Sequence, residues 1–508
     1  MSDAAIETRA PQGQQGAEQT ISTGAAPAQA AQAQAAAGQP QPGTQQAGAQ
    51  QGGAQQGGGV KVTLGEVLAE ISAYERDGRF AEAEDLAERV LKAAPDHPHV
   101  LHLSGIVAYR RGRIDVAIER MERSMQLSPD VAVYPRNMCE IYRGAGRLDD
   151  SLRMAQRAVD LAPEDSRAHF NHALIRYERL DLDAALAAAD RAIELDGDYP
   201  EAHFERAEIL LLGGRLTPGW ESYEWRFKLK QAEGMLPKTD KPQWDGGKLP
   251  EGRLLLIADQ GFGDCIQFGR YIPWVVERAP KPVLACSGDL VPILSQIPGL
   301  GKIVTRWEAT GEYDAYVPLS GLPRLAGTTL ETIPAPIPYL SPDPRKVAFW
   351  KQRLDALLPG GRKRIGLVWA GRPTHKNDRK RTVTLGHFAP LFAREDLAIV
   401  TVQKGDRIAD VGRYFGAAPL VNLGPGIADF TDTMAILHSL DMLVTIDTSV
   451  AHLAGATGRP ASVILPYAPD WRWLTGRDDT PWYPSLRLFR QSRPYDWGGV
   501  VERLAATL

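Results

Sequence analysis

The chain has 508 residues, 44% of them apolar and 24% charged, with a formal net charge of −4. That length and composition predict about three ordinary globular domains, and the charge gives no basis for a general nucleic-acid surface, which needs excess Lys and Arg. Three cysteines without a CxxC pair exclude a disulfide framework and point to a reducing compartment; no long apolar run or secretory leader is present, so a cytoplasmic chain without a membrane span is expected.

Residues 1–59 are a low-complexity stretch of Ala, Gln, Gly and Pro without Leu, Val or an aromatic residue. Such a segment cannot bury enough apolar surface to offset the entropy of ordering, so a disordered tail is predicted.

From about residue 64 the pattern becomes helical and repeats every 34 residues. Gly78-Arg79, Gly112-Arg113, Gly146-Arg147 and Gly214-Arg215 share one grid, with Leu180-Asp181 at its missing point. Pro95, Pro129, Pro163 and Gly197 share a second, Gly105, Cys139, Ala173 and Ala207 a third, and Ala83, Ala117, Ser151 and Ala185 a fourth. This is the period of a tetratricopeptide (TPR) array. The glycine suits a left-handed turn between two helices, the small residues a close helix crossing, and the proline the end of the second helix. An α-solenoid over residues 60–235 is expected, its groove holding a protein partner in preference to serving as a plain scaffold. His97, His99 and His102 fall at the start of one of its helices and are expected on the surface. The aromatic segment Trp220–Phe227 is expected to seal the last repeat against the next domain.

Beyond residue 250 apolar strands alternate with helices, predicting α/β structure with parallel sheets. Strands are expected at 253–258, 282–286, 302–305 and 315–319 in a first lobe (236–340). A second lobe (341–508) follows the Pro-rich connector 333–344, with strands at 364–370, 398–402, 420–423, 442–446 and 461–465. Two such lobes place a ligand cleft at their strand C-terminal ends.

Three strand-end loops carry candidate chemistry. In Gly261-Phe-Gly263-Asp264 the glycines allow close approach of a ligand, and Asp264 either accepts a proton from an acceptor hydroxyl or caps its own helix. In Asp447-Thr448-Ser449-Val-Ala-His452 the hydroxyl residues open a helix whose free amides suit a phosphate, with His452 either facing that ligand or packing. The basic loop around Lys376 and Arg379 is either a solvated charge run or an anion clamp, and Gln403-Lys404 ends the next strand on the same edge. No zinc spacing and no strand-end Asp-x-Asp is present, so no metal or cofactor is required; helix dipoles and cations are the other route to neutralising a leaving diphosphate.

On the strand followed by Gly263-Asp264 and on Asp447-Thr-Ser-Val-Ala-His452, the second half resembles the ADP-heptose:lipopolysaccharide heptosyltransferases, which are of the GT-B class. That family usually has Gly where Ser449 stands. The layout of a TPR arm before two Rossmann-like lobes is similar to O-GlcNAc transferase and to TPR-linked bacterial flagellin glycosyltransferases, as are Val368–Gly371, His375–Arg379 and Pro469-Asp-Trp-Arg-Trp473. The resemblance implies a metal-independent, inverting glycosyltransferase acting on Ser or Thr of a protein such as flagellin, with a nucleotide sugar as its second substrate. It assigns Asp264 as base on an acceptor-side loop with Gly261 and Gly263. It suggests Gln403 and Lys404 as nucleotide contacts and the Asp447–His452 stretch as the donor loop; together with the basic loop, the donor is assigned to Lys376, Arg379, Gln403, Lys404, Asp447, Thr448, Ser449 and His452. The alternatives are transfer to lipopolysaccharide or another glycan, and a non-catalytic adaptor.

Overall fold

The computed structural model describes residues 20–22, 61–306, 309–334, 336–374 and 378–508. They form two compact units, one ending at Ala162 and the other running from Pro163 to Leu508. The division falls inside the helical repeats and not at their end.

In the first unit, β1 (Thr20–Ser22) pairs antiparallel with β2 (Lys61–Thr63). The expectation of a disordered tail otherwise lies outside the described residues. Thr63 opens α1 (Leu64–Arg76) with a capping box: the Thr63 hydroxyl accepts from the Glu66 amide at 3.3 Å, and the Glu66 carboxylate accepts from the Thr63 amide at 2.7 Å. Then follow α2 (Phe80–Ala93), α3 (Pro98–Arg110), α4 (Ile114–Leu127), α5 (Val133–Gly144) and α6 (Leu148–Leu161), paired in sequence as antiparallel hairpins. Gly78, Gly112 and Gly146 hold φ of 74°, 76° and 76°, the left-handed turn their spacing predicts. Ala83, Ala117 and Ser151 are fully buried where the helices cross.

The three histidines correct an expectation. His97 caps α3, its Nδ1 accepting from the Val100 amide at 3.3 Å. His99 and His102 are buried. His99 Nδ1 lies 3.3 Å from the Tyr134 hydroxyl, and His102 Nε2 lies 3.1 Å from Asn137 Nδ2. The helix turns these two side chains toward α5, one repeat further on, where burial lowers the His99 pKa to about 4.

The second unit begins with the remaining repeats: α7 (Ser166–Glu178), α8 (Leu182–Leu195), α9 (Pro200–Leu212) and α10 (Leu216–Tyr223). Gly214 repeats the left-handed turn at φ 76°. At the missing grid point Leu180 adopts the same turn at φ 60° without glycine's freedom. Its neighbours show what this turn does instead. Tyr467 donates to the Arg179 carbonyl at 3.4 Å, and Lys380 pairs with Glu178 at 2.7 Å.

Two wholly parallel sheets follow. The first, β3 (Leu254–Ile257), β4 (Val283–Ala285), β5 (Lys302–Val304) and β6 (Ala315–Pro318), has the order β5-β4-β3-β6. The second has the order β12-β11-β10-β7-β8-β9. Its strands are β7 (Lys363–Val368), β8 (Leu397–Thr401), β9 (Leu420–Asn422), β10 (Met442–Ile446), β11 (Ala461–Leu465) and β12 (Leu486–Arg490). Every strand anticipated from the sequence is present, and β12 is additional. The second sheet follows the doubly wound order 3-2-1-4-5-6, and the first follows its opening part. Each therefore reverses direction beside its own first strand, β3 against β6 and β7 against β10.

One apolar core joins α7–α10 to both sheets, including Tyr177, Leu216, Trp220, Leu256, Val463, Trp471 and Trp482. Trp220 and Tyr223 are buried in it, as the sealing role requires. Trp220 Nε1 donates to the Thr328 carbonyl at 2.9 Å, and its ring meets Trp471 edge-on at 5.3 Å. Trp225 instead stacks on His203, with ring centroids 3.6 Å apart.

Candidate functional site

Both direction reversals carry a loop that opens a helix. After β3, Asp259-Gln260-Gly261 leads into α11 (Phe262–Gly269), with Gly261 as N-cap and Asp264 in the first turn. After β10, Asp447 and Thr448 lead into α12 (Ser449–Ala456), with Thr448 as N-cap. The first amides of a helix have no acceptor within it, so the start of α12 presents N–H groups and the positive end of the helix dipole. Thr448 Oγ1 lies 3.3 Å from Thr445 Oγ1, and Ser449 is the first helical residue.

The two helices meet at their first turns. A Cβ on Gly263 would stand 2.7 Å from His452 Cδ2, so glycine is what admits this approach. His452 Nδ1 lies 3.0 Å from the Tyr483 hydroxyl, and Nε2 lies 4.0 Å from Asp447 Oδ1. Gly261, Gly263, Asp264, Asp447, Thr448, Ser449 and His452 thus converge where the two sheets' switch points face each other.

Asp264 does two things. Its carboxylate sits beside the N-cap of its own helix, where a Cβ on Gly261 would stand 3.1 Å from Oδ2. It also pairs with Arg472, which follows β11. Arg472 binds Asp470 as well, at 2.8 Å, lies 3.5 Å from Gln260 Oε1, and stacks on Trp471 at 4.2 Å. Gln260 in turn donates to the Tyr223 hydroxyl at 2.9 Å, which ties the loop to the last repeat helix.

The electrostatics follow from crowding half-buried acids around one cation. Burial raises the Asp264 pKa against the pull of Arg472. Burial, then the nearby Asp470 charge, pushes Asp447 up to about 6, with Arg381 opposing. Burial opposes ionisation of Asp470 too, but the Arg472 guanidinium holds it below the usual range. Burial, then repulsion from Arg472, lowers His452 to about 3, so its imidazole is neutral near pH 7. Perturbed acids gather at functional sites and in structural ion-pair networks alike, so these residues are candidates for a site. Asp259, buried behind them, accepts from the Ser320 amide at 3.2 Å and from its hydroxyl, bridging β3 to β6.

The remaining candidates fare differently. Lys376 lies outside the described residues. Arg379 is exposed. Gln403 is a correction: its side chain is buried and bound to backbone on both sides, accepting from the Trp369 and Ala370 amides at 3.1 Å and donating to the Ala370 and Lys404 carbonyls. Saturated in this way, it braces the end of β8 against β7 and is not a free ligand group. Lys404 is exposed, and its Nζ donates to the Ile427 carbonyl at 2.6 Å. Both stand beyond β7 from β10, away from the Asp447 loop. Arg381 closes the basic loop already weighed as an anion clamp, whereas Arg472, Asp470 and Tyr483 were not anticipated as neighbours of these residues; the first two had a signal in the motif Pro469–Trp473, and Tyr483 had none. Among the described residues, no three His, Cys, Asp or Glu gather as a metal site needs, and no helix is long and apolar enough to cross a membrane.

Comparison with known proteins bears on the helical half first. A tetratricopeptide-repeat family model matches residues 68–132, 140–200 and 170–217. The repeats are tetratricopeptide repeats. They make this helical region, residues 68–217, a protein-interaction module. Similar solved structures include a thermophilic TPR protein of Thermus thermophilus, 24% identical over 33% of this chain and 91% of that one, TM-score 0.30. Pseudomonas aeruginosa pilF is 16% identical over 42% of this chain and 84% of its own, TM-score 0.33. Among curated proteins, FlbA of Caulobacter vibrioides is 27% identical over 328 residues, 60% of this chain and 54% of FlbA. The chain therefore spans about half the length of that relative. A match of 328 residues is longer than everything before β3, which begins at Leu254, so it extends into the sheets.

Proposed function

We propose that the chain is a glycosyltransferase of the GT-B type, metal-independent and inverting, which moves a sugar from a nucleotide-sugar donor to Ser or Thr of a protein held by the TPR helices. The observation that carries this reading is the convergence of the Asp264 loop and the start of α12 at two facing switch points, with Gly263 against His452. In such sheets ligands bind at the switch point, outside the strand C-terminal ends. The amides of Ser449 and Val450 and the cation of Arg381 suit the leaving phosphate. Asp264 stands across from them as the base for the incoming hydroxyl. Neutral His452 donates or accepts a hydrogen bond there without adding charge.

The test is co-expression of the full chain with a candidate acceptor, flagellin first, followed by intact mass. Sugar-sized increments that vanish with Asp264→Asn support the reading. Unmodified flagellin together with a modified lipopolysaccharide core moves the acceptor from protein to glycan. A binding-only adaptor is favoured by one observation, the engagement of Asp264 by Arg472. It predicts donor binding with neither transfer nor hydrolysis.

A further inference from the structure

Resting on the reading of Asp264 as the base, we propose that Arg472 is its positioning residue: tethered on its own loop, the guanidinium reaches across to the facing lobe and fixes the Asp264 carboxylate in place as an anion. Three contacts hold Arg472 independently of Asp264. Asp470 binds its Nη1 at 2.8 Å, and accepts from its backbone amide at 3.0 Å. The Trp471 ring lies under it at 4.2 Å. Trp471 is itself wedged against Trp220 and Tyr223 from the last repeat helix. The guanidinium is therefore preorganised, and Asp264 comes to it. Its buried Nε–H has no hydrogen-bond partner among the described residues.

The need for such a cation follows from what else faces Asp264. Asp470 from the loop after β11 and Asp259 from the loop before α11 are like charges. Tyr223 from α10 and Cys265 from α11 itself are neutral, as is His452 on α12. Arg472 is thus the first-ranking attraction that opposes both burial and the two neighbouring acids. Without it a carboxyl here holds its proton to higher pH and cannot receive another from a hydroxyl. A pair that only glued the lobes together would shift the carboxyl's titration too, so the acidic limb of turnover, and not the stability curve alone, separates the two roles.

The inference is tested in the full chain with Arg472→Gln, Arg472→Lys and Arg472→Gln combined with Asp264→Asn. The first measurement, unfolding stability from pH 5 to 8.5, needs no substrate. An acid whose folded pKa is raised loses stability as pH climbs toward that pKa. Arg472→Gln should carry this decline about one to three pH units higher than in the wild type, the scale of a neighbouring opposite charge. Arg472→Lys should stay close to wild type, and the double variant should lose the added decline. If Arg472→Gln does not fold at pH 8, the double variant must restore folding there. Parallel wild-type and Arg472→Gln curves, or a double variant that keeps the decline, overturn the proposal. The second measurement is the pH profile of turnover on UDP-N-acetylglucosamine, GDP-mannose and a CMP-linked nonulosonate. The acidic limb should move upward in Arg472→Gln at unchanged KM and return in Arg472→Lys; a lowered rate with an unmoved limb reduces Arg472 to a structural pair. Failure of the wild type to turn over any donor sinks the transferase reading instead, while the stability curves still decide the Arg472–Asp264 link.

Discussion

The repeat helices up to Ala162 and the unit from Pro163 onward use the same charged residues to opposite ends. In the first, many acids and arginines pair at the surface, as in Arg79–Glu82, Arg89–Asp85 and Arg123–Asp96. These are exposed, local or one-repeat pairs, of the kind worth about 0–1 kcal/mol. In the second, Asp264, Asp447 and Asp470 come from the loops after β3, β10 and β11 and gather, half-buried, around the buried Arg472. A buried cluster of like charges is costly, and a fold keeps it where the charges do something. The contrast teaches that the repeats can be altered at their charged surface with little consequence, while the loops at the switch points cannot.

The contrast can be broken first at the seam inside the second unit. Trp220→Ala removes a buried ring that touches Trp471 and Trp482 and should destabilise that unit by about 3–5 kcal/mol. Chemical denaturation followed by tryptophan fluorescence measures it; a loss under 1 kcal/mol (roughly a surface-scale effect) would mean the seal carries no load.

Asp264→Asn comes next. Turnover should fall about a hundredfold or more while the fold is kept, the usual scale for loss of a general base. Steady-state kinetics with circular dichroism as control decide it, and near wild-type turnover leaves Asp264 as a helix cap alone.

Asp447→Asn should stabilise the protein. An acid held at about 6 against an ordinary value of 3.8 costs stability above pH 6 and nothing below its unfolded pKa. The substitution should therefore raise stability at pH 7.5 by about 1–3 kcal/mol, with the gain fading toward pH 4. The same variant should lose nucleotide-sugar binding. A pH-independent difference in stability would contradict the electrostatic account. The smallest effect is expected in the repeats: Arg123→Ala, which breaks an exposed pair with Asp96, should change stability by less than about 1 kcal/mol, shrinking further in high salt.

How far the sequence alone reaches differs between the same two regions. The 34-residue grids place the turn glycines and the buried small residues because a repeat states its own constraint several times. They do not say which way a helix face turns, and so His99 and His102 look like surface residues until the next repeat covers them. In the sheets, apolar runs such as Leu254–Ile257 and Ala461–Leu465 mark buried parallel strands directly. The edge strand β12, with Arg487 exposed within it, carries no such run and went unanticipated. The loops of the site are legible as loops, since strand-to-helix junctions with Gly, Asp and Thr announce themselves. Their partners are not: nothing local in the sequence ties Arg472 to Asp264 or spends the Gln403 amide on the backbone of β7. The first belongs to how the two sheets face each other, the second to how β8 pairs with β7.

The central claim is that the meeting of the Asp264 loop with the start of α12 is a nucleotide-sugar site. Thermal unfolding of the full chain with saturating UDP-N-acetylglucosamine, GDP-mannose and a CMP-linked nonulosonate tests it most directly, since a ligand bound only by the folded state raises its stability by mass action. At least one donor should raise the midpoint of the wild type and leave that of His452→Ala unmoved. An unmoved midpoint for the wild type with all three, or an equal rise in His452→Ala, would contradict it.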